Sequence, residues 1–184
     1  VYFLVDQEAD AEKLLTSLAE KYSQNSILFF AMGDMALAQR KWDKAITRYE
    51  QSLAIAPDAD RVWLQLGRAY LLAELERAKN RQNMPSGDWQ NPNTMMARMG
   101  NLMATGGLDL GKASAALRKA VYLNPQNSQA HIMLGILAFH RTSYEEAALE
   151  WEQALRLEPD NVFLHMSLGV VAQACQQYDK AAAY

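Results

Sequence analysis

A step of 34 residues recurs along this chain of 184 residues and limits what the chain can fold into. A repeated unit of this length cannot bury its own apolar face, so neighbouring units must stack to form a core. Apolar residues inside each unit recur at three- and four-residue spacings, which indicates amphipathic helices. The sequence therefore predicts an all-α solenoid. The rows that keep the step are Gly33, Gly67, Asn101, Gly135 and Gly169; Ala11, Ala45, Lys79, Ala113, Ala147 and Ala181; and Pro57, Asn91, Pro125 and Pro159.

The two best-preserved units, 26–59 and 128–161, show which residue types the repeat requires. When a unit is numbered from 1 to 34, small residues stand at repeat positions 8, 20 and 27, where they let two helices approach closely. Large residues at positions 4, 7, 17 and 24 fill the space between helices, and proline at position 32 ends the second helix. This pattern resembles the tetratricopeptide repeat. The resemblance implies a right-handed superhelical solenoid of helix-turn-helix units with a concave groove.

The step also sets the boundaries of the units within one solenoid domain. Because both ends fall inside repeats and the chain has no initiator Met, we expect a piece of a longer protein. The expected units are 1–25 (the end of a preceding unit), 26–59, 60–93 (irregular), 94–127, 128–161 and 162–184 (truncated). The expected helices are 8–22, 26–40, 42–55, 60–82, 93–104, 109–123, 128–140, 144–156, 162–174 and 178–184.

The second half of unit 60–93 departs from the pattern. Pro85, Gly87 and Pro92 prevent a continuous second helix there, although Pro125 then falls on schedule. Two explanations stay open: either the unit has lost its second helix, or an insertion of 34 residues splits one unit. Both predict a loop over 84–92. Trp89, inside this loop, either fills the gap left by the missing helix or contacts a partner.

Composition argues against a nucleic-acid partner, an internal disulfide and a transmembrane span. The net charge is −3 and no basic run occurs, which does not favour a nucleic-acid surface. The single Cys175 cannot form an internal disulfide and is expected to be a small core residue. No apolar run reaches 18 residues, so no transmembrane span is predicted. The apolar residues 1–5 are interpreted as the end of a helix rather than the stub of a membrane anchor.

No catalytic motif is recognised in the sequence, which contains no phosphate-binding P-loop, GxSxG, HExxH or CxxC. We therefore predict no enzymatic activity, no cofactor and no metal. His131 and His165 occupy repeat position 4 of adjacent units, where a metal pair is the alternative to replacement of the usual large residue. His140 as a catalytic base is an alternative to an ordinary groove residue. A solvated acidic helix face is predicted from Glu145, Glu146, Glu150 and Glu152.

The tetratricopeptide resemblance also implies which residues line the groove, namely those at first-helix positions 2, 5, 9, 12 and 13. Many are apolar here, and a large exposed apolar strip marks a binding site. The alternative is that the chain fills its own groove. The lysines and asparagines with which chaperone-binding members grip a C-terminal carboxylate are absent at positions 5 and 9. The predicted partner-binding residues are Ile27, Phe30, Leu37, Arg61, Leu64, Arg68, Leu71, Arg98, Ile132, Ile136, Phe139, His140, Phe163 and Met166.

These observations favour a scaffold that holds an apolar or amphipathic segment of another protein, with Arg61, Arg68 and Arg98 pairing with flanking acids. Met95, Met96, Met99 and Met103 form either an adaptable binding surface or gap-filling core. Residues 106–159 also resemble the repeat domain of bacterial cytochrome c maturation proteins, which implies an assembly factor on the periplasmic side of a membrane. A bacterial envelope location is slightly favoured over the cytoplasm. The alternatives are an architectural subunit of a large complex and a regulatory domain of a longer enzyme.

Overall fold

The computed structural model describes residues 5–82 and 108–176, and these form helices and turns without a strand. The helix bounds lie within three residues of those expected from the sequence. The expectations for loop 84–92 with Trp89, for helices 93–104 and 178–184, for the methionine cluster and for Arg98 lie outside the described residues. The helices are α1 (Val5–Lys21), α2 (Ser26–Ala38), α3 (Trp42–Ile55), α4 (Asp60–Gln82), α5 (Gly111–Leu123), α6 (Ser128–His140), α7 (Tyr144–Leu157) and α8 (Val162–Ala174).

Asparagine begins three of the helices. The side-chain oxygens of Asn25, Asn127 and Asn161 accept hydrogen bonds from backbone N–H groups in the first turns of α2, α6 and α8. The N–H groups in the first turn of a helix lack the carbonyl partner that later N–H groups have, so each asparagine side chain supplies an acceptor for them. The three asparagines stand at the same position of their repeats, the last one, so these three helices begin at the same point of the repeat.

A glycine lets the two helices of each pair approach closely. A Cβ atom added to Gly33 would lie 2.5 Å from the ring of Tyr49, and one added to Gly135 would lie 2.2 Å from Nε1 of Trp151. Gly67 of α4 makes the same kind of contact with Leu117 of α5, at 2.7 Å. Since α4 packs on α5 as α2 packs on α3 and α6 on α7, the packing favours one unit split by an inserted segment.

A hydrogen bond from repeat position 4 ties three units to the units before them. Nε1 of Trp63 donates to the carbonyl of Pro57 over 2.7 Å. Nε2 of His131 lies 3.0 Å from the Pro125 carbonyl oxygen, and Nε2 of His165 lies 2.8 Å from that of Pro159. A large side chain at this position therefore fills space and also satisfies the carbonyl of the proline that follows the preceding helix.

Candidate partner-binding surface

The first helices of two neighbouring pairs, α2 and α4, lie side by side and present a mixed apolar and basic surface. Ile27 is 73% exposed, whereas Phe30 and Leu64 are half-buried and pack against the core with part of their surface. The guanidinium carbon of Arg61 lies 5.5 Å from the centre of the Phe30 ring, a cation–π contact between the two helices. We call this the α2–α4 surface: Ile27, Phe30, Asp34, Arg61, Leu64 and Arg68.

The charges of the α2–α4 surface are arranged around Asp34. The Tyr49 hydroxyl donates to Oδ1 of Asp34 over 2.7 Å. Burial raises the pKa of the Asp34 carboxyl group, against the lowering effect of that hydrogen bond and of the positive charges of Arg61 and Arg68. Burial and the neighbouring carboxylate raise the pKa of the Tyr49 hydroxyl as well. Among the described residues, neither arginine makes a direct hydrogen bond or ion pair, and the Arg61 guanidinium contacts the Phe30 ring.

Four of the predicted groove residues are core residues in the structure. Leu37, Leu71, Ile132 and Ile136 are buried, Ile136 to 1% exposure, so the prediction that these side chains line an open groove is wrong. The cause is clearest in α6, where every residue from 130 to 138 is buried. A helix that is apolar on all sides packs on all sides, and not only towards its neighbours in the repeat. The exposed predicted residues of the first helices therefore lie on α2, on α4 and, at Met166, on α8.

The repeat pattern and packing agree with comparisons to known proteins. The tetratricopeptide repeat model matches residues 30–76 and 107–162, more than half of the chain. The chain belongs to the tetratricopeptide repeat family. The tetratricopeptide fold is typically an interaction domain without catalytic activity, and the expected fold class is confirmed. In the described residues, no helix combines the length and apolar character needed to cross a membrane.

Solved tetratricopeptide structures share this fold at low sequence identity. A crystal structure of MamA has a TM-score of 0.70 at 15% identity, over 100% of this chain and 92% of that one. The first repeat domain of Spaghetti (RPAP3) bound to the HSP90 peptide SRMEEVD gives 0.59 at 21% identity, over 84% and 95%. The Sgt2 domain from Aspergillus fumigatus gives 0.56 at 19%, over 85% and 83%. No curated protein sequence matches the chain. These likenesses give no support to the narrower resemblance to cytochrome c maturation proteins.

The remaining predicted residues lie around the last described helices of the tetratricopeptide array. The Phe139 ring is half-buried, with its centre 5.8 Å from that of Trp151, and the Phe163 ring packs edge-on at 6.2 Å from Trp151. Met166 is 63% exposed, in line with Val162 and Val170 along α8. These aromatic residues therefore belong partly to the core, while Met166 lies on a separate apolar strip.

His131 has hydrogen-bond partners at both ring nitrogens, whereas one ring nitrogen of His140 is buried without a partner. Nδ1 of His131 lies 2.6 Å from Oε2 of Glu150, and its other ring nitrogen faces the Pro125 carbonyl, so neither nitrogen is free to bind a metal. The described residues contain no cluster of three or more His, Cys, Asp and Glu that could hold a metal ion. Nε2 of His140 is buried without a hydrogen-bond partner, and burial lowers the His140 pKa to about 4. A base with no carboxylate to orient it lacks the arrangement that catalysis uses.

Sequence reasoning missed three polar pairs. Glu150 was expected on a solvated acidic face, but it lies half-buried against His131, and this expectation is wrong. Glu146 of the same expected face pairs with Arg118 over 2.7 Å. The Asp34–Tyr49 pair was also missed. Two patterns in the sequence indicate such pairs. Unit 26–59 has polar residues at repeat positions 9 and 24, and unit 128–161 has His and Glu at positions 4 and 23. Cys175 is a half-buried free thiol that packs against the core, as expected.

Proposed function

We propose that the chain is a non-catalytic protein-binding scaffold, and that it holds an apolar or amphipathic segment of a partner against the α2–α4 surface. The observation that supports this most is the contrast in exposure between equivalent residues. At repeat position 5, Phe30 of α2 and Leu64 of α4 are half-buried and reach the surface, whereas Ile132 at the same position of α6 is buried. An apolar patch flanked by charged groups is the usual form of an interaction site.

The family supports the same proposal. The RPAP3 structure, of the same fold, contains an HSP90 peptide, so an array of this kind can hold a peptide segment. A role in holding apocytochrome during maturation in a bacterial envelope is a special case, and it rests on the sequence resemblance alone. The architectural role, in which outer faces pack along a large complex, predicts binding through side chains such as Leu149, which is 58% exposed on α7.

A library of displayed peptides of about 16 residues tests the proposal. The wild-type chain should enrich peptides with an amphipathic apolar pattern, and Ile27→Asp should abolish that enrichment. Because Ile27 is mostly exposed, this variant should keep the wild-type melting temperature. Leu149→Asp is the matched control, since it places the same charge on an exposed residue of an outer helix. Loss of binding in the Leu149 variant alone would put the architectural role first. Selection of no peptide by the wild-type chain would contradict the proposal.

A further inference from the structure

Arg61 and Arg68 lie one above the other on α4, and neither forms an ion pair with a residue that the structure describes. Arg61 and Arg68 are seven residues apart, which places them on nearly the same side of the helix and about 10 Å apart along its axis. Leu64 lies between them and is half-buried. Along this side of α4, a basic side chain is therefore followed by an apolar one and then by a second basic one.

Three other arginines in the described part of this acidic chain pair with acidic side chains. Arg77 lies 2.6 Å from Asp43, Arg118 lies 2.7 Å from Glu146, and Arg141 lies 3.9 Å from the same Glu146. Asp34 is the acid whose charge acts on Arg61 and Arg68, but its Oδ1 accepts from Tyr49, and no direct ion pair forms. The α2–α4 surface thus carries two positive charges against one negative charge, on a chain whose net charge is −3. Charge complementarity favours an acidic ligand here.

We propose that the α2–α4 surface recognises an acidic amphipathic helix of a partner protein, through two side-chain carboxylates one heptad apart. This inference rests on the proposed function and names the chemistry of the partner. Each carboxylate receives one guanidinium group, for which paired N–H···O bonds are the preferred geometry. Apolar residues between the two acids pack on Leu64, Phe30 and Ile27.

The spacing selects a helix over an extended segment. In a helix, residues i and i+7 share one face and lie about 10 Å apart, as Arg61 and Arg68 do. An extended strand repeats its face every second residue, so side chains on one face fall about 7 or 13 Å apart. A single C-terminal carboxylate also matches the site poorly, because it engages one arginine and leaves the other unpaired. The cation–π contact with Phe30 holds the Arg61 guanidinium over the surface before a ligand arrives.

The test uses acetylated and amidated helical peptides, with affinity measured by fluorescence anisotropy. The reference peptide carries Glu at i and i+7 and Leu at i+3 and i+4. In a second peptide both Glu are replaced by Gln, and in a third the second Glu is moved to i+5. We expect the Gln peptide and the i+5 peptide to bind about tenfold more weakly, and the reference peptide to lose affinity as salt is raised.

Variants of the protein assign the effect to the two arginines. Arg61→Ala and Arg68→Ala should each weaken the reference peptide about tenfold, while Arg156→Ala, an exposed residue of α7, should leave it unchanged. The double variant R61E/R68E should bind a peptide with Lys at i and i+7 better than the reference peptide. This reversal tests the site even if a single alanine variant folds poorly, because a misfolded chain has no reason to prefer the Lys peptide.

Different experimental results would contradict the scaffold proposal and the acidic-helix inference. If the Gln peptide binds as tightly as the reference peptide and Ile27→Asp abolishes both, the scaffold proposal holds and the acidic-helix inference is wrong. Equal binding of the i+5 peptide would overturn the heptad spacing, and tighter binding of a Gln peptide with a free C-terminus would show end recognition instead. If none of the peptides binds and the displayed library also selects nothing, both proposals fail.

Discussion

Units 26–59 and 128–161 follow the same repeat pattern, but they differ in how far the inner face of the first helix is buried. The inner face is the side of that helix that the repeat pattern places in the groove. Both units place a glycine of the first helix against a large aromatic of the second, Gly33 on Tyr49 and Gly135 on Trp151. On α2 the residues at positions 5 and 9, Phe30 and Asp34, are half-buried, whereas Ile132 and Ile136 at the same positions of α6 are buried. The repeat therefore fixes how two helices of a unit meet, and leaves open whether the remaining face is free.

The aromatic at repeat position 24 explains part of this difference. A buried Tyr or Trp needs a partner for its polar end. The Tyr49 hydroxyl finds it in the side chain of Asp34, which keeps position 9 of α2 polar. Nε1 of Trp151 donates to the backbone carbonyl of Ile132 over 3.2 Å, and position 9 of α6 is then occupied by the apolar Ile136. The choice of aromatic in the second helix is thus linked to the polarity of the inner face of the first.

The largest expected effect comes from exchanging residues at position 9. Ile136→Asp places a carboxylate in a site that is 1% exposed and should cost about 4 kcal/mol of unfolding free energy or prevent folding. Asp34→Ile should change stability by only about 1 kcal/mol, since Tyr49 loses one acceptor at a half-buried site. Denaturant unfolding of both variants measures the difference. Equal losses would mean that the two inner faces are equally buried and would remove the basis of the comparison.

Solution pH should separate two histidines of α6 that act in opposite directions. Burial holds the pKa of His140 near 4, below its ordinary 6.5, so its contribution to stability is present above pH 6.5 and is lost as pH falls towards 4. This loss should reach about 3 kcal/mol. The hydrogen bond with Glu150 raises the pKa of His131, so its contribution is complete below pH 6.5 and is lost as pH rises through the raised value.

Thermal melting between pH 4 and 8 checks both expectations. His140→Leu should remove much of the loss on the acid side and leave the alkaline side unchanged. His131→Gln should flatten the alkaline side, because a glutamine does not titrate there. An acid side that is as steep in His140→Leu as in the wild-type chain would show that His140 is protonated without cost, contrary to its burial. Unit 26–59 has no histidine, so neither effect should arise from it.

The sequence was sufficient for the helices because their signals are local. Proline at position 32 and asparagine before the first helix act on the backbone near them, and the helices begin and end close to the expected residues. Groove residues were harder to predict because their position in the repeat gives only the side of the helix. Whether that side is covered depends on packing elsewhere in the chain, as Leu71 and Ile136 show. The pairing of Glu150 with His131 likewise needed the distance between two helices.

The smallest expected effect concerns the turn between the two helices of each unit. Arg40 and Thr142 are equivalent residues, and both adopt left-handed backbone with φ of 57° and 59°. This conformation is unfavourable for any side chain and most of all for a β-branched one. Thr142→Gly should therefore stabilise the chain by about 0.5–1 kcal/mol, once the greater freedom of glycine in the unfolded chain has offset part of the relieved strain. Arg40→Gly should gain less, because arginine is not branched at Cβ. Paired denaturant curves at one pH measure both changes. A loss of stability in Thr142→Gly would mean that the bond from its Oγ1 to the Arg141 carbonyl, at 2.6 Å, outweighs the strain, and the two turns would then differ in chemistry rather than only in side-chain shape.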